Sequence, residues 1–171
     1  MLHENADTEI LLPAAIFHDI INLPKTAPNR ADASRLSADY VKKYLKTTRF
    51  AHAKIPAVHH AIHAHSYSAN IPCDTLEAKI LQDADRLDAL GTIGIARCFA
   101  VSGAMGRPLF HPTDPMAKHR PLNEAEYALD HFQTKLFKIA ETLHTAKAKE
   151  FATDRVTYMR QFCETLSADL T

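Results

Sequence analysis

Residues 10–21 read ILLPAAIFHDII, an apolar run that contains one charged pair, His18-Asp19. This pattern predicts a helix that is buried on most sides. Burying a carboxylate and an imidazole costs free energy unless a partner compensates them. A divalent cation would compensate both, because carboxylate and neutral imidazole are good metal ligands. A neutral or ion-paired His-Asp in the core is the alternative, and the pair alone leaves both interpretations open.

The composition is that of a soluble protein large enough for one domain. The chain has 171 residues, of which 46% are hydrophobic and 23% charged. Twenty Lys and Arg balance twenty Asp and Glu, so the net charge favours neither a nucleic-acid polymer nor a membrane as partner. Three widely spaced cysteines without a CxxC motif predict reduced thiols. We therefore expect a cytoplasmic protein.

The spacing of apolar residues predicts an all-α fold, since alternating β patterns are absent and glycine is scarce. The predicted helices share apolar positions at helical spacing and cover residues 8–21, 31–46, 53–65, 76–91, 123–139 and 143–166. The fourth of these helices, 76–91, is expected to extend to residue 99. A segment rich in proline and glycine, at about residues 102–121, predicts a long irregular loop. Together these features predict a single compact bundle of about six helices over residues 1–171.

An acidic cluster, residues 83–88 with the sequence DADRLD, offers further metal ligands. Asp85 and Asp88 are three residues apart and share a helix face. Asp83 lies closer to the apolar stripe of this helix than Asp85 does, so periodicity alone does not select Asp85. The alternative is a solvated acidic face with Arg86 as its internal partner.

A histidine cluster, residues 59–65 with the sequence HHAIHAH, is the third candidate. His59 and His63 have the i, i+4 spacing that can chelate one metal on a helix. His60 and His65 point about 140° apart and need different partners. Each histidine alone is also compatible with a hydrogen-bonded structural role.

Basic side chains supply candidate contacts to an anionic substrate. Lys25 and Arg30 follow the His-Asp pair, and His131 and Lys135 are four residues apart on a predicted helix. Phosphate groups are bound by such residues, although isolated basic side chains are usually solvated surface charge. The motifs typical of P-loop, dinucleotide-binding, serine-hydrolase and HExxH zinc proteins are absent.

Two motifs together, FHDI at residues 17–20 and ADRLDAL at 84–90, resemble the HD-domain metal-dependent phosphohydrolases, in particular a branch of small single-domain bacterial members. The resemblance implies an all-α HD domain that hydrolyses a nucleotide or another phosphate ester. It also implies that His18, Asp19 and Asp85 bind the metal, with Asp83 as the alternative to Asp85.

The resemblance further implies a mechanism. A divalent ion (Mn²⁺, Mg²⁺ or Fe²⁺) activates water for attack on phosphorus. Four basic residues are expected to neutralise the phosphate charge: Lys25, Arg30, His131 and Lys135. His60 or His65 is expected to bind a second ion or to assist proton transfer. Asp19 and Asp88 complete the expected catalytic set.

One part of the family pattern is missing. The first histidine ligand lies on a helix well upstream of the His-Asp pair, and this chain begins too late to contain it, because His3 is too close to His18. The chain is then a shortened product, has a three-ligand site, or takes a fourth ligand from elsewhere. A non-catalytic HD-fold protein that binds a nucleotide or a protein partner, or a structural bundle, is the alternative. Apolar surface left uncovered favours a homodimer.

Overall fold

The computed structural model describes residues 5–24, 27–67 and 69–170, and every regular element in them is helical. The α-helices, in chain order, are α1 (Thr8–Phe17), α2 (Ala33–Lys46), α3 (Ile55–His65), α4 (Leu76–Leu87), α5 (Gly91–Ala104), α6 (Phe137–Glu141) and α7 (Ala146–Asp169). Short 3₁₀ turns precede α2 and α3, and a π-helical turn, Phe132–Leu136, precedes α6. The predicted all-α fold is confirmed. Across the described ranges, no single helix is both long enough and apolar enough to cross a membrane. Helices α4 and α5, which are bent by 65° relative to each other, meet the length and hydropathy criteria only when they are taken together.

The chain forms two compact units, Met1–Asp85 and Arg86–Thr171. In the first unit α3 packs against α1 and α2. Its fully buried side chains include Ala61, Ile62 and Ala64, so α3 is the central helix of this unit. The prediction of one domain over the whole chain stays a prediction.

Helix α1 begins and ends at identifiable residues. Asp7 caps it, since its side chain accepts a hydrogen bond from the Glu9 backbone N–H at 3.0 Å. The helix ends at Phe17 rather than at the predicted residue 21, and the Ile20 N–H bonds the Phe17 carbonyl in a tight turn. His18 and Asp19 therefore lie in a turn after the helix, in which His18, the C-cap, keeps a right-handed helical backbone (φ −56°, ψ −36°).

The second unit is built around α5 and α7. Leu90, Phe132 and Met159 are its largest fully buried side chains. The extension of α4 to residue 99 as one helix is wrong, because residues 88–90 separate α4 from α5. Gly91, the first residue of α5, has a φ of +72°, and its N–H donates to the Met159 sulfur at 3.1 Å.

A long irregular segment follows α5, in agreement with the prediction. The predicted helix start at residue 123 is wrong, since residues 124–126 form a turn and the first helical element after α5 is the π-helical turn Phe132–Leu136. The buried carboxylate of Asp130 explains the difference. It accepts hydrogen bonds from the Arg120 guanidinium at 2.5 and 2.7 Å and from the Asn123 N–H at 2.6 Å, which draws residue 123 into a turn. Glu124 accepts a hydrogen bond from His131.

Candidate metal centre

Three side chains of the first unit form a cluster that could hold a metal ion. The candidate ligand atoms of His18, Asp19 and His65 all lie within 4.8 Å of one another. His65 Nε2 is 3.5 Å from Asp19 Oδ1, and the two imidazole rings lie 4.9 Å apart at 87°. The turn after α1 supplies His18 and Asp19, and the last residue of α3 supplies His65. Within the described ranges this is the one such cluster.

Backbone carbonyls orient both histidines in the same way. His18 Nδ1 donates to the Ala15 carbonyl at 2.8 Å, and His65 Nδ1 donates to the Ile62 carbonyl at 2.6 Å. Since a carbonyl only accepts, the proton of each neutral ring is on Nδ1 and the lone pair is on Nε2. Metal-binding histidines in proteins commonly have this outer hydrogen bond. The donor set therefore fits a divalent ion.

Burial and charge differ across the cluster. His65 is only 4% exposed, whereas the Asp19 side chain is 47% exposed. When the His65 ring is protonated, Nε2 donates a hydrogen bond to Asp19, and this bond is the main reason that the pKa of Asp19 lies below its ordinary value, with the charges of His18 and Arg30 adding to it. Burial lowers the pKa of His65, but its bonds to Asp19 and the Ile62 carbonyl outweigh burial and raise the pKa above its ordinary value.

The acidic residues of α4 have different surroundings. Asp85 is exposed and lies outside the three-residue cluster, although its negative charge helps to raise the pKa of His65. Asp83 is 2% exposed, as its place near the apolar stripe of α4 predicts. Asp85 as a metal ligand therefore stays a prediction, while His65, predicted in an assisting role, is the third member of the cluster.

The other histidines of α3 have separate partners. His59 Nε2 donates to Asp39 at 2.9 Å, and the His59 and His63 rings lie 6.0 Å apart. His60 Nε2 accepts a hydrogen bond from the Asp74 backbone N–H at 3.1 Å. His65 differs from them because it is the last residue of α3, at the helix end that the sequence predicts.

Arg30 is a basic residue whose charge reaches the cluster. Its guanidinium donates to the Asn22 side chain at 2.6 Å and to the Leu23 carbonyl, which holds it close to the turn that carries Asp19. Its positive charge contributes to the lowered pKa of Asp19. Lys25 and His3 lie outside the described residues.

The remaining predicted residues belong to the second unit. Asp88 is exposed. His131 Nδ1 donates to Glu124 at 2.7 Å. Burial raises the pKa of Glu124, but hydrogen bonds from Thr134 and His131 and the charge of Lys135 bring it below its ordinary value. His131 and Lys135 thus share one carboxylate neighbour.

Comparison with known proteins places these residues in a family. The family model described as HD domain matches residues 1–90, a range that contains His18, Asp19, His65 and Asp85. The chain is 33% identical over 172 residues to the protein YpgQ of Bacillus subtilis. The alignment covers 98% of this chain and 75% of YpgQ.

Solved structures agree with this match. The crystal structure of YpgQ in complex with ADP has a TM-score of 0.74 at 33% identity and covers 98% of this chain and 77% of that chain. An HD-superfamily hydrolase from Bacillus thuringiensis has the same TM-score, identity and coverage. A protein from Lactobacillus plantarum follows at 0.69 and 29% identity, covering 98% of this chain and 79% of that one. This chain belongs to the HD domain family.

Proposed function

We propose that this protein is a divalent-metal-dependent phosphohydrolase that acts on a nucleotide or a similar phosphate ester. The observation that carries the proposal is the convergence of His18, Asp19 and His65 at the family's His-Asp pair. The complex of YpgQ with ADP supports a nucleotide as the ligand. The proposed metal is Mn²⁺, Mg²⁺ or Fe²⁺, since a mixed imidazole and carboxylate set suits these ions.

The chain's own residues divide the proposed work. His18, Asp19 and His65 hold the ion, with Asp85 as a further ligand or as acceptor of a proton from the attacking water. When bound, the ion supplies an acidified water and a polarised phosphoryl oxygen. Arg30 compensates phosphate charge next to the ion, because its guanidinium is already fixed near Asp19.

The other predicted residues keep their proposed roles. Lys25, His131 and Lys135 are proposed to bind phosphate oxygens, since phosphates need fixed positive charge. His60 is proposed to assist proton transfer, and Asp88 to belong to the catalytic set.

Replacing Asp19 tests the proposal against a closely matched carboxylate. Asp19→Asn removes a ligand charge and should lower Mn²⁺ affinity and phosphate release by about 100-fold or more. Asp39→Asn is the control, because Asp39 also pairs with a histidine of α3 but lies outside the cluster. Equilibrium dialysis with Mn²⁺ measures binding. Phosphate release from ADP, nucleoside mono- and triphosphates and a generic phosphate ester measures turnover. Unchanged Mn²⁺ binding by Asp19→Asn would falsify the site.

The second candidate function is nucleotide binding without hydrolysis. The position of Asp85 outside the cluster favours it, since an incomplete ligand set holds an ion less tightly. Calorimetric binding of ADP by the wild-type protein, with no phosphate release from any substrate in the presence of Mn²⁺, would select this candidate.

A further inference from the structure

Two buried polar side chains lie behind the metal cluster, one on α2 and one on α4. Ser37 is fully buried and Gln82 is 4% exposed. A buried polar group costs free energy unless it is hydrogen-bonded. Both side chains bond backbone atoms that are next to, or two residues from, a member of the cluster.

Ser37 holds the turn that carries Asp19. Its hydroxyl accepts a hydrogen bond from the Ile21 N–H at 3.1 Å and donates to the Ile21 carbonyl at 3.3 Å. Ile21 lies two residues after Asp19, beyond the end of α1, where no helix bonds its backbone. One hydroxyl thus fixes both backbone groups of a residue in this bend, which limits how the Asp19 carboxylate can move.

Gln82 holds the helix end that carries His65. Its side-chain amide donates to the Ala64 carbonyl at 2.7 Å. Ala64 precedes His65 in the last turn of α3, where backbone carbonyls have no partner within the helix. The bond therefore ties the end of α3 to α4 and fixes the backbone from which the His65 ring projects.

We propose that Ser37 and Gln82 are positioning residues that keep Asp19 and His65 in metal-binding geometry by holding the backbone beside them. The inference rests on the proposed metal site. Neither side chain is in the cluster, so both act through the backbone. Outer partners of metal ligands commonly change metal affinity by about 10–100-fold when they are removed.

Ser34 provides a matched control for Ser37. It lies three residues earlier on α2 and is 2% exposed, and its hydroxyl has no hydrogen-bond partner within the described ranges. Ser37→Ala and Ser34→Ala remove the same atom from equally buried positions on one helix. Titration with Mn²⁺, followed by the electron paramagnetic resonance signal of the free ion, should show binding weakened about tenfold or more by Ser37→Ala and less than about twofold by Ser34→Ala.

Gln82→Met gives a second test, since methionine keeps the size of the side chain and removes the donor. Its control is Thr75→Ala, which removes a hydroxyl that accepts from the Ala78 N–H at the opposite end of α4. Both substitutions should lower the urea midpoint, but Gln82→Met alone should weaken Mn²⁺ binding, by about tenfold. A loss of Mn²⁺ affinity in Gln82→Met that Thr75→Ala does not share would separate a positioning role of Gln82 from general destabilisation of the protein.

The outcomes distinguish the two proposals. A wild-type protein that binds no Mn²⁺ would overturn the metal site and this inference together. Wild-type binding with Ser37→Ala equal to Ser34→Ala, and Gln82→Met equal to Thr75→Ala, would overturn the inference alone. If Gln82→Met does not fold, the serine pair decides.

Discussion

At the scale of single residues, the Asp19–His65 pair makes the stability of the metal-free protein depend on pH. The pKa of Asp19 is lowered from its ordinary 3.8, and that of His65 is raised from its ordinary 6.5. The contribution of Asp19 to the free energy of unfolding is fully present above pH 3.8 and is lost as the pH falls through the lowered pKa of the folded protein. The His65 contribution is present below 6.5 and is lost as pH rises through the raised value.

We therefore expect the pair to stabilise the metal-free protein most at about pH 5, where both groups are charged. The free energy of unfolding of the wild type minus that of His65→Asn, from urea titrations, should be larger at about pH 5 than at about pH 9. Mn²⁺ affinity should have the opposite trend, because the ion needs neutral His65 and so displaces a proton. A stability difference that does not change with pH would contradict the pairing.

The sequence predicts part of the cluster well. The sequence singles out His18-Asp19, and both residues lie in the cluster. The predicted burial of this segment on most sides is wrong, however, because the Asp19 side chain is 47% exposed and Ile16 is 70% exposed. The sequence does not show that α1 ends before the pair, since the Ser37 contact that holds the bend joins residues sixteen apart in the chain. For the same reason His65 could be predicted only as an assisting residue.

At the scale of elements, the start of α5 depends on one glycine. Gly91→Ala should lower the free energy of unfolding by about 1–2 kcal/mol, because a side chain at its positive φ is strained. Its Cβ would also lie 3.1 Å from Arg155 Cγ. Gly103→Ala, near the other end of α5, would meet nothing within 4 Å and should stabilise by up to about 1 kcal/mol. Urea unfolding of both variants provides the measurement, and equal effects would show that the conformation of Gly91 is unimportant.

Helix existence was more predictable than helix limits. Amphipathic spacing correctly indicates α2 and α3, because their apolar faces are buried in the first unit. The predicted helix start at residue 123 is wrong because the Asp130 carboxylate accepts a hydrogen bond from the Asn123 N–H, a contact that local sequence rules do not contain. Tertiary hydrogen bonds of this kind explain why the second unit departs further from the prediction.

At the scale of the whole molecule, a bound ion should raise the resistance of the protein to heat. A ligand that binds only the folded state at 100 times its dissociation constant adds about 2.7 kcal/mol to the free energy of unfolding. Thermal unfolding with and without Mn²⁺ should show this as a raised midpoint for the wild type and for Asp39→Asn, and for Asp19→Asn as a much smaller rise, equivalent to about 0.4 kcal/mol or less. A rise of the same size in Asp19→Asn would indicate that the ion binds elsewhere.

The all-α fold was predictable from composition and spacing, whereas the division into two compact units was not. The division falls within α4, between Asp85 and Arg86, where the sequence continues as one charged helical run. Composition reports which residues are apolar but not which of them share a core. The predicted homodimer stays a prediction.

The hydrogen bonds that fix the Nδ1 protons of His18 and His65 affect the rate at which a metal ion associates. Neither ring has to flip or change tautomer before it binds, since Ala15 and Ile62 already select the reactive edge. At a pH where His65 is neutral, the slow step should then be the departure of water from the incoming cation. Association rates for different cations should consequently follow their own water-exchange rates rather than any rearrangement of the protein.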